Sequence, residues 1–419
     1  MSNEPESDAT SAGANHTLKR ALSLPLLTLY GIGTIVGGGI YALVGEVAAE
    51  AGTYAPAAFL MAALIALFSA NSYASLATRY PVSASEAEYV RAAFGREQLS
   101  ALVGWLVIST ALVSTATLSR AIVGFIGDFV SIPIVVATAL TVGVLAGIAA
   151  WGIAESVWMS VAITVIEVGG LVLVIVLERD ALGELPTRWE ELMPGMQVGA
   201  WRGIGLGAFL AFYAFVGFED MVNVSEEVHD PTRIMPMAIA LALGTTTLLY
   251  LSVTTIAVLA VPIDELAKSG TPVARIIANH GTTMTRTMGL ISLLAGVNGA
   301  LIQIIMATRV AYGMATRGGA PAWLGYVNPR TRTPVRATAA TALIVFTLAL
   351  WLPLDTLARV TSAITLVVFG TVNMALIVIR LREVRSADDD MPLRTRDVIP
   401  VVGVITCAAF LVFQITTIC

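Results

Sequence analysis

Charge is scarce in this sequence. Only 13% of its 419 residues are Asp, Glu, Lys or Arg, against about 25% in a soluble domain, too few to cover a globular surface in water. Cysteine and histidine are scarcer, at two and three residues, which excludes a Cys/His metal cluster and a disulfide framework. Cys407 and Cys419 both fall in the last apolar stretch, where a free thiol behaves as a small hydrophobe. His16, His229 and His280 are isolated, so no nucleophile–His–acid set is available for a membrane enzyme, and no cofactor is expected. A net charge of −5 without a Lys/Arg block leaves no electrostatic footprint for nucleic acid.

Apolar residues make up 57% of the chain. They gather in eleven segments, roughly 21–47, 54–78, 100–127, 131–150, 155–177, 203–225, 235–261, 284–315, 336–353, 355–380 and 398–418. Most are near the ~20 residues a helix needs to cross a ~30 Å hydrocarbon core. They are continuously apolar, without the alternation of an outer-membrane strand. The expected fold class is therefore an all-α membrane protein with about eleven transmembrane helices. Residues 1–17 are polar, lack the order of a cleaved signal, and are expected to form a disordered tail.

Lys and Arg in the connections set the orientation. Placing the N-terminus in the cytoplasm puts 16 of the 24 cationic residues there: Lys19, Arg20, Arg79, Arg91, Arg96, Arg233, Arg309, Arg317, Arg330, Arg332, Arg336, Arg380, Arg382, Arg385, Arg394 and Arg396. The polar stretches 178–202 and 264–283 are then external. Leu266, Ile276 and Ile277 suggest a surface helix in the second.

Two segments carry interruptions. The first holds Gly31, Gly33, Gly37, Gly38 and Gly39 within nine residues. Each interior glycine costs a helix about 1 kcal/mol relative to alanine, so a break is expected at the triplet. Unwound backbone at membrane depth survives only where it lines a cavity or is buried in protein, and the half-helix beyond it offers free N–H groups to an anion. Small residues also let helices approach closely, so segment one alone leaves two readings. Segment six, Phe-Tyr-Ala-Phe-Val-Gly-Phe-Glu-Asp at 212–220, carries a second Gly-interrupted stretch ending in two acids. It opens a second set of five helices. Five is odd, so that set is inverted, as in transporters whose site lies between two broken helices. Phe212 and Phe218 fit packing. Tyr213, beside the break, fits a gate.

At these residues the sequence resembles the amino acid–polyamine–organocation (APC) superfamily of secondary transporters. The Gly31–Tyr41 run resembles its Gly-rich entry motif, and FYAFVGFEDMVNVSEEVHDPTRIMP from Phe212 to Pro236 resembles its helix-six signature. Tyr73–Phe94 resembles the loop after helix two, and Arg309–Pro334 the end of helix eight. The resemblance implies a LeuT-type 5+5 inverted repeat with broken helices 1 and 6. The repeats would cover 18–180 and 181–382, leaving a cytoplasmic loop and last helix at 383–419. It also implies amino acids or related amines as substrates. The substrate-binding positions would be Thr34, Ile35, Gly37, Gly38 and Gly39 in helix one, and Ala214, Phe215, Val216 and Gly217 in helix six. Tyr213 and Glu219 would be gates. The triplet lacks the family's central hydroxyl and keeps the backbone amides.

Glu167 lies mid-span in segment five, where an ionised carboxylate costs on the order of 3 kcal/mol. Ser156, Ser160, Thr164 and Glu167 share one helical face, which points the acid into the protein. A proton-coupling acid, a ligand for a metal cation and a neutral structural acid all fit; the proton is the expected coupling ion. Some members of the resembled family carry Lys here, so charge reversal rules out transferring the role of that amine. The expected function is proton-coupled, secondary active transport of amino acids, neutral ones preferred, across a cytoplasmic (inner) membrane. The alternatives are an amine or polyamine transporter, an exchanger, or a passive channel. The expected partners are a small-molecule substrate, the coupling proton and the lipid bilayer.

Overall fold

Without water in a hydrocarbon layer, backbone N–H and C=O groups must pair within their own segment, and the apolar runs accordingly become helices. The computed structural model describes residues 22–81, 85–127, 129–151, 157–316, 318–386 and 395–418. The expected tail, Lys19, Arg20, Ser156, Arg317, Arg394 and Cys419 lie outside the described residues. In order the helices are α1 (Leu24–Val36), α2 (Gly39–Ala51), α3 (Ala55–Arg79), α4 (Ser85–Phe94), α5 (Glu97–Gly127), α6 (Ile134–Trp151), α7 (Val157–Leu177), α8 (Arg179–Gly183) and α9 (Leu185–Leu192). There follow α10 (Val198–Tyr213), a 3-10 helix (Phe218–Glu227), α11 (Pro231–Ala260), α12 (Ile263–Lys268), α13 (Pro272–Ile276), α14 (Thr282–Thr316), α15 (Val335–Trp351), α16 (Leu354–Ser386) and α17 (Thr395–Ile418).

Among the described residues each expected apolar segment is largely helical. Among the described residues nine helices are long and apolar enough to cross a membrane, and Leu24–Val36 and Val335–Trp351 are shorter apolar helices. Nine replaces eleven because helix continues from Gly39 to Arg79 through one 3-10 turn, joining the first two segments beyond the break, and because Val335–Trp351 is among the shorter helices. Among the described residues no strand forms beyond the isolated bridge between Leu22 and Val228.

Cross-contacts assign the helix termini to two ends. At the first end, Leu22 N–H donates to the Glu227 carbonyl at 2.9 Å, Arg79 pairs with Glu383, and Trp105 Nε1 donates to the Gly319 carbonyl at 3.1 Å. At the far end, Arg359 pairs with Glu50, Arg188 Nη1 donates to the Leu259 carbonyl at 3.0 Å, and Arg202 Nη2 donates to the Thr417 carbonyl at 3.3 Å. The stretch 264–283 does not lie on the surface by its apolar side. Leu266, Ile276 and Ile277 are buried, and α12 packs against α2 as a cap on the far end.

Between the ends, α6, α11, α15 and α17 expose Leu140, Leu248, Leu343 and Ile415. Such outward apolar faces suit lipid rather than water. Trp151 and Trp351 close α6 and α15 and stand largely exposed, as aromatic side chains do at the two interfaces of a bilayer. Inside, α5 packs along α14, α10 along α2 and α3, and α1 along α7 and α11. This arrangement brings the two interrupted segments together.

Candidate functional site

Both interruptions fall where the glycines place them. Helix α1 ends at Val36, and Gly38 takes a left-handed φ of 50° before α2 begins. Helix α10 ends at Tyr213, and chain resumes as the 3-10 helix only after Gly217, whose φ is 130°. A side chain at Gly217 would run into the Thr34 carbonyl, and one at Gly39 would come within 3.0 Å of the Ala214 Cα. The two breaks are thus packed backbone against backbone.

Tyr250 on α11 binds them. Its hydroxyl lies 3.0 Å from both the Ile35 and the Ala214 carbonyl oxygens, and its one proton serves either or is shared between them. These carbonyls lost their helical donors at the breaks, so the hydroxyl satisfies groups that hydrocarbon could not. Tyr250 escapes a sequence reading because α11 has no irregularity there. Only the fold puts it opposite the breaks.

A small cavity of about 20 Å³ lies at the meeting point, lined by Thr34, Ile35, Gly37, Gly39, Tyr213 and Val216 from the two broken segments. Ser114 and Leu118 of α5 and Gly299, Ile302 and Gln303 of α14 complete it. That volume admits a water molecule and is much too small for an amino acid, so the site is closed upon itself. Among the described residues no charged side chain lines it. The Gly37 N–H caps α1 through the Gly33 carbonyl at 3.0 Å, and the Gly39 N–H turns back to Gly37. The first-turn amides of Gly38, Ile40 and Tyr41 have no carbonyl within α2 to meet; the first such bond is Ala42 N–H to Gly38.

The other expected site residues fall around this pocket. Gly38, Ala214 and Gly217 form the backbone of the breaks. Phe215 turns its ring away, edge-on to Phe59 and Tyr250 at 6.5 and 5.1 Å. Phe212 and Phe218 pack on Phe369. Tyr213 places its hydroxyl 3.1 Å from Ser114 Oγ, closing the pocket across to α5. The Glu219 carboxylate folds back on its own break, accepting the Gly217 N–H at 2.8 Å.

Ser160, Thr164 and Glu167 are all fully buried, so their shared face points inward. Thr164 presses on Gly33, which has no room for a side chain. The Asn298 amide of α14 donates to Glu167 Oε1 at 3.0 Å, and Tyr41 of α2 donates its hydroxyl to the Glu167 carbonyl. Glu167 thereby touches the helix that follows the first break. Asn298 is a polar residue inside the apolar run of α14.

Two larger cavities flank the pocket. One of about 580 Å³ opens at the first end among Tyr30, Arg91, Asp220, Glu227, Ile302 and Arg309. One of about 400 Å³ opens at the far end among Glu46, Arg120, Lys268 and Leu354. Asp230 is held by the Thr232 hydroxyl at 2.6 Å, which keeps its carboxyl below the usual range, and Arg91 pairs with Glu88 within α4.

Residues 22–418 match the family model described as "Amino acid permease". A vacuolar cationic amino acid transporter 2 of Arabidopsis thaliana is 31% identical over 393 residues, 87% of this chain and 60% of that protein. The branched-chain amino acid permease BcaP of Bacillus subtilis is 30% identical over 88% of this chain and 82% of its own length. A methylthioribose transporter of Bacillus subtilis is 28% identical over 90% and 85%. The chain thus spans about three fifths of its plant relative and most of the two bacterial ones. With a match across nearly all its helices, including both broken segments, this chain belongs to the amino acid permease family.

Proposed function

We propose that the chain is a secondary active transporter that carries amino acids across a cytoplasmic (inner) membrane by alternating access, driven by protons. The meeting of the two helix breaks carries the reading, because it leaves unwound polar backbone in a closed pocket between two vestibules. The substrate carboxylate is assigned to the open amides of Gly38, Ile40 and Tyr41 at the positive end of α2. Its amino group is assigned to carbonyls freed at 214–217, and its side chain to Ile35, Leu118, Val216 and Ile302. A pocket without charge favours neutral amino acids, since it holds no carboxylate to pair with a cationic side chain. Tyr213 gates the pocket through Ser114 and Glu219 braces the second break. The odd spacing of five spans between the breaks supports two inverted repeats of the LeuT type, at 18–180 and 181–382. The Arg-rich connections at the first end support its assignment to the cytoplasm.

Glu167 is assigned the coupling proton. A change in its charge acts directly on Asn298 and, through its own backbone, on Tyr41, so both α14 and α2 register it. The test is uptake into proteoliposomes, driven separately by a pH gradient and a sodium gradient. The substrates are neutral and cationic amino acids and methylthioribose, for which relatives are named. Accumulation of a neutral amino acid on the pH gradient is expected, with Glu167→Gln abolishing accumulation but keeping exchange. Full pH-driven accumulation by Glu167→Gln refutes the proton role. A solute that never exceeds its own gradient refutes active transport.

A further inference from the structure

The connection between α14 and α15 is basic and free of acids. Between Glu265 and Asp355 the chain holds no Asp or Glu, while Arg330, Arg332 and Arg336 follow one another closely. All three are exposed, and none pairs with a carboxylate among the described residues. Their neighbours on this surface are apolar or aromatic. Trp323, Tyr326 and Val327 are exposed, and the Arg336 guanidinium stacks 4.0 Å from the centre of the Tyr326 ring. Leu324 is buried with Ala315 and Ala337, so the 3-10 turn Ala322–Gly325 is fastened to α14 and α15.

The fold also fixes the height of these groups. Asn328 closes a tight turn: its N–H donates to the Thr333 carbonyl at 2.9 Å, its carbonyl accepts the Arg332 N–H at 2.8 Å, and its side-chain oxygen accepts the Arg330 N–H at 2.9 Å. Arg332 takes a φ of 56°, an angle glycine would adopt more easily, so the backbone is not what calls for arginine there. The Thr333 hydroxyl donates to the Ala150 carbonyl at 2.6 Å. That bond ties the turn to the end of α6, beside the exposed Trp151. Helix α6 has 18 residues, about 27 Å of helix, and α15 has 17. Each just crosses a ~30 Å hydrocarbon core. They pack side by side with Trp151 and Trp351 at opposite ends, which puts the turn at the height of the headgroups. Arginines on a loose loop are ordinarily just solvated; these three are held at one level by a fixed turn.

We propose that Arg330, Arg332 and Arg336 bind the phosphate of an anionic phospholipid in the leaflet at the first end, with Trp151, Trp323 and Tyr326 seated where headgroups meet acyl chains. Guanidinium groups present paired N–H donors that match phosphate oxygens, and basic residues beside a span are drawn to anionic headgroups. Aromatic rings settle at the same level. A soluble acidic protein would meet the cations and leave the exposed rings uncovered, whereas a bilayer accommodates both. Helix α14, which leads into this connection, also carries Gly299 and Gln303 of the pocket wall, so a lipid held there steadies that wall. The site is independent of which solute is carried.

The experiment is native mass spectrometry of the purified full chain in detergent, titrated with phosphatidylglycerol or with phosphatidylcholine of the same acyl chains. Phosphatidylglycerol is expected to bind about fivefold or more tightly, as two or three charge-assisted contacts allow. Arg330→Gln, Arg332→Gln and Arg336→Gln together are expected to remove most of that preference. Arg96→Gln, which deletes an exposed arginine elsewhere at the same end, is expected to leave it. Equal affinity for the two lipids overturns the proposal, and so does a triple variant that keeps the wild-type preference. Should the triple variant not fold, a photoactivatable phosphatidylglycerol decides on the wild type: crosslinks are expected within 322–336, and their absence from that stretch overturns the site. Glycerol phosphate that competes as strongly as the whole lipid would make a free anion the ligand. Polyglutamate bound in preference to phosphatidylglycerol would make it an acidic protein. Either result overturns the lipid site.

Discussion

The two helix breaks solve the same problem differently. The first occupies two residues, Gly37 and Gly38, and α-helix resumes at once, so it presents the amide end of an intact helix. The second runs from Ala214 to Gly217 and resumes as a 3-10 helix that carries Glu219 and Asp220. One break leaves backbone amides open and the other carries carboxyl groups beside it. The glycine triplet suits the first role because bare backbone lets α14 come close, with Gly299 Cα only 3.3 Å from where a Gly37 side chain would begin. The second role needs just one glycine, at the φ of 130° where chain direction changes.

The largest effect is expected where conformation and space are both exhausted. Gly217→Ala meets a backbone angle closed to other residues and the Thr34 carbonyl. A loss of about 3 kcal/mol or more is expected, read as a lower thermal midpoint and no uptake. Equal stability would show that the second break can adapt. Gly38→Ala follows, with a left-handed cost of about 1–2 kcal/mol. Its added carbon meets Leu118 Cδ2 at 2.7 Å and Gly296 Cα at 3.0 Å. A modest fall in midpoint is expected, with a much larger loss of substrate affinity, since the strain lies at the amides. If affinity and midpoint fall in step, the first break has no special role in binding.

Tyr250→Phe tests whether the breaks act together. Removing the hydroxyl leaves the Ile35 and Ala214 carbonyls without it and should cost about 1–2 kcal/mol. Combined with Gly38→Ala it should be non-additive, because Tyr250 joins the two sites. Strict additivity would separate them. Ser114→Ala should be mildest, below about 1 kcal/mol, and should speed exchange by loosening Tyr213. Unchanged exchange would leave Tyr213 a packing residue.

Much of this was legible from residue pattern. The glycine triplet and Gly217 mark the breaks because interior glycine is costly in a helix, and Glu167 stands out because charge is so rare in a span. Phe215 shows the limit: an aromatic side chain beside a break fits a pocket or its packing equally well, and here it packs on Phe59 and Tyr250. Tyr250, Leu118 and Gln303 were illegible because their helices are regular and only a neighbouring helix gives them a role.

Composition by itself determined that the chain lives in lipid, because apolar runs of spanning length have nowhere else to go. It also set where the helices break, which is a property of local backbone chemistry. Only the tertiary structure decided that the breaks touch, that Tyr250 bridges them and that the turn at Thr333 is tied to the end of α6. Those are meetings between residues far apart in the chain, and hydropathy, which acts on each segment alone, carries no record of which neighbours a helix will meet.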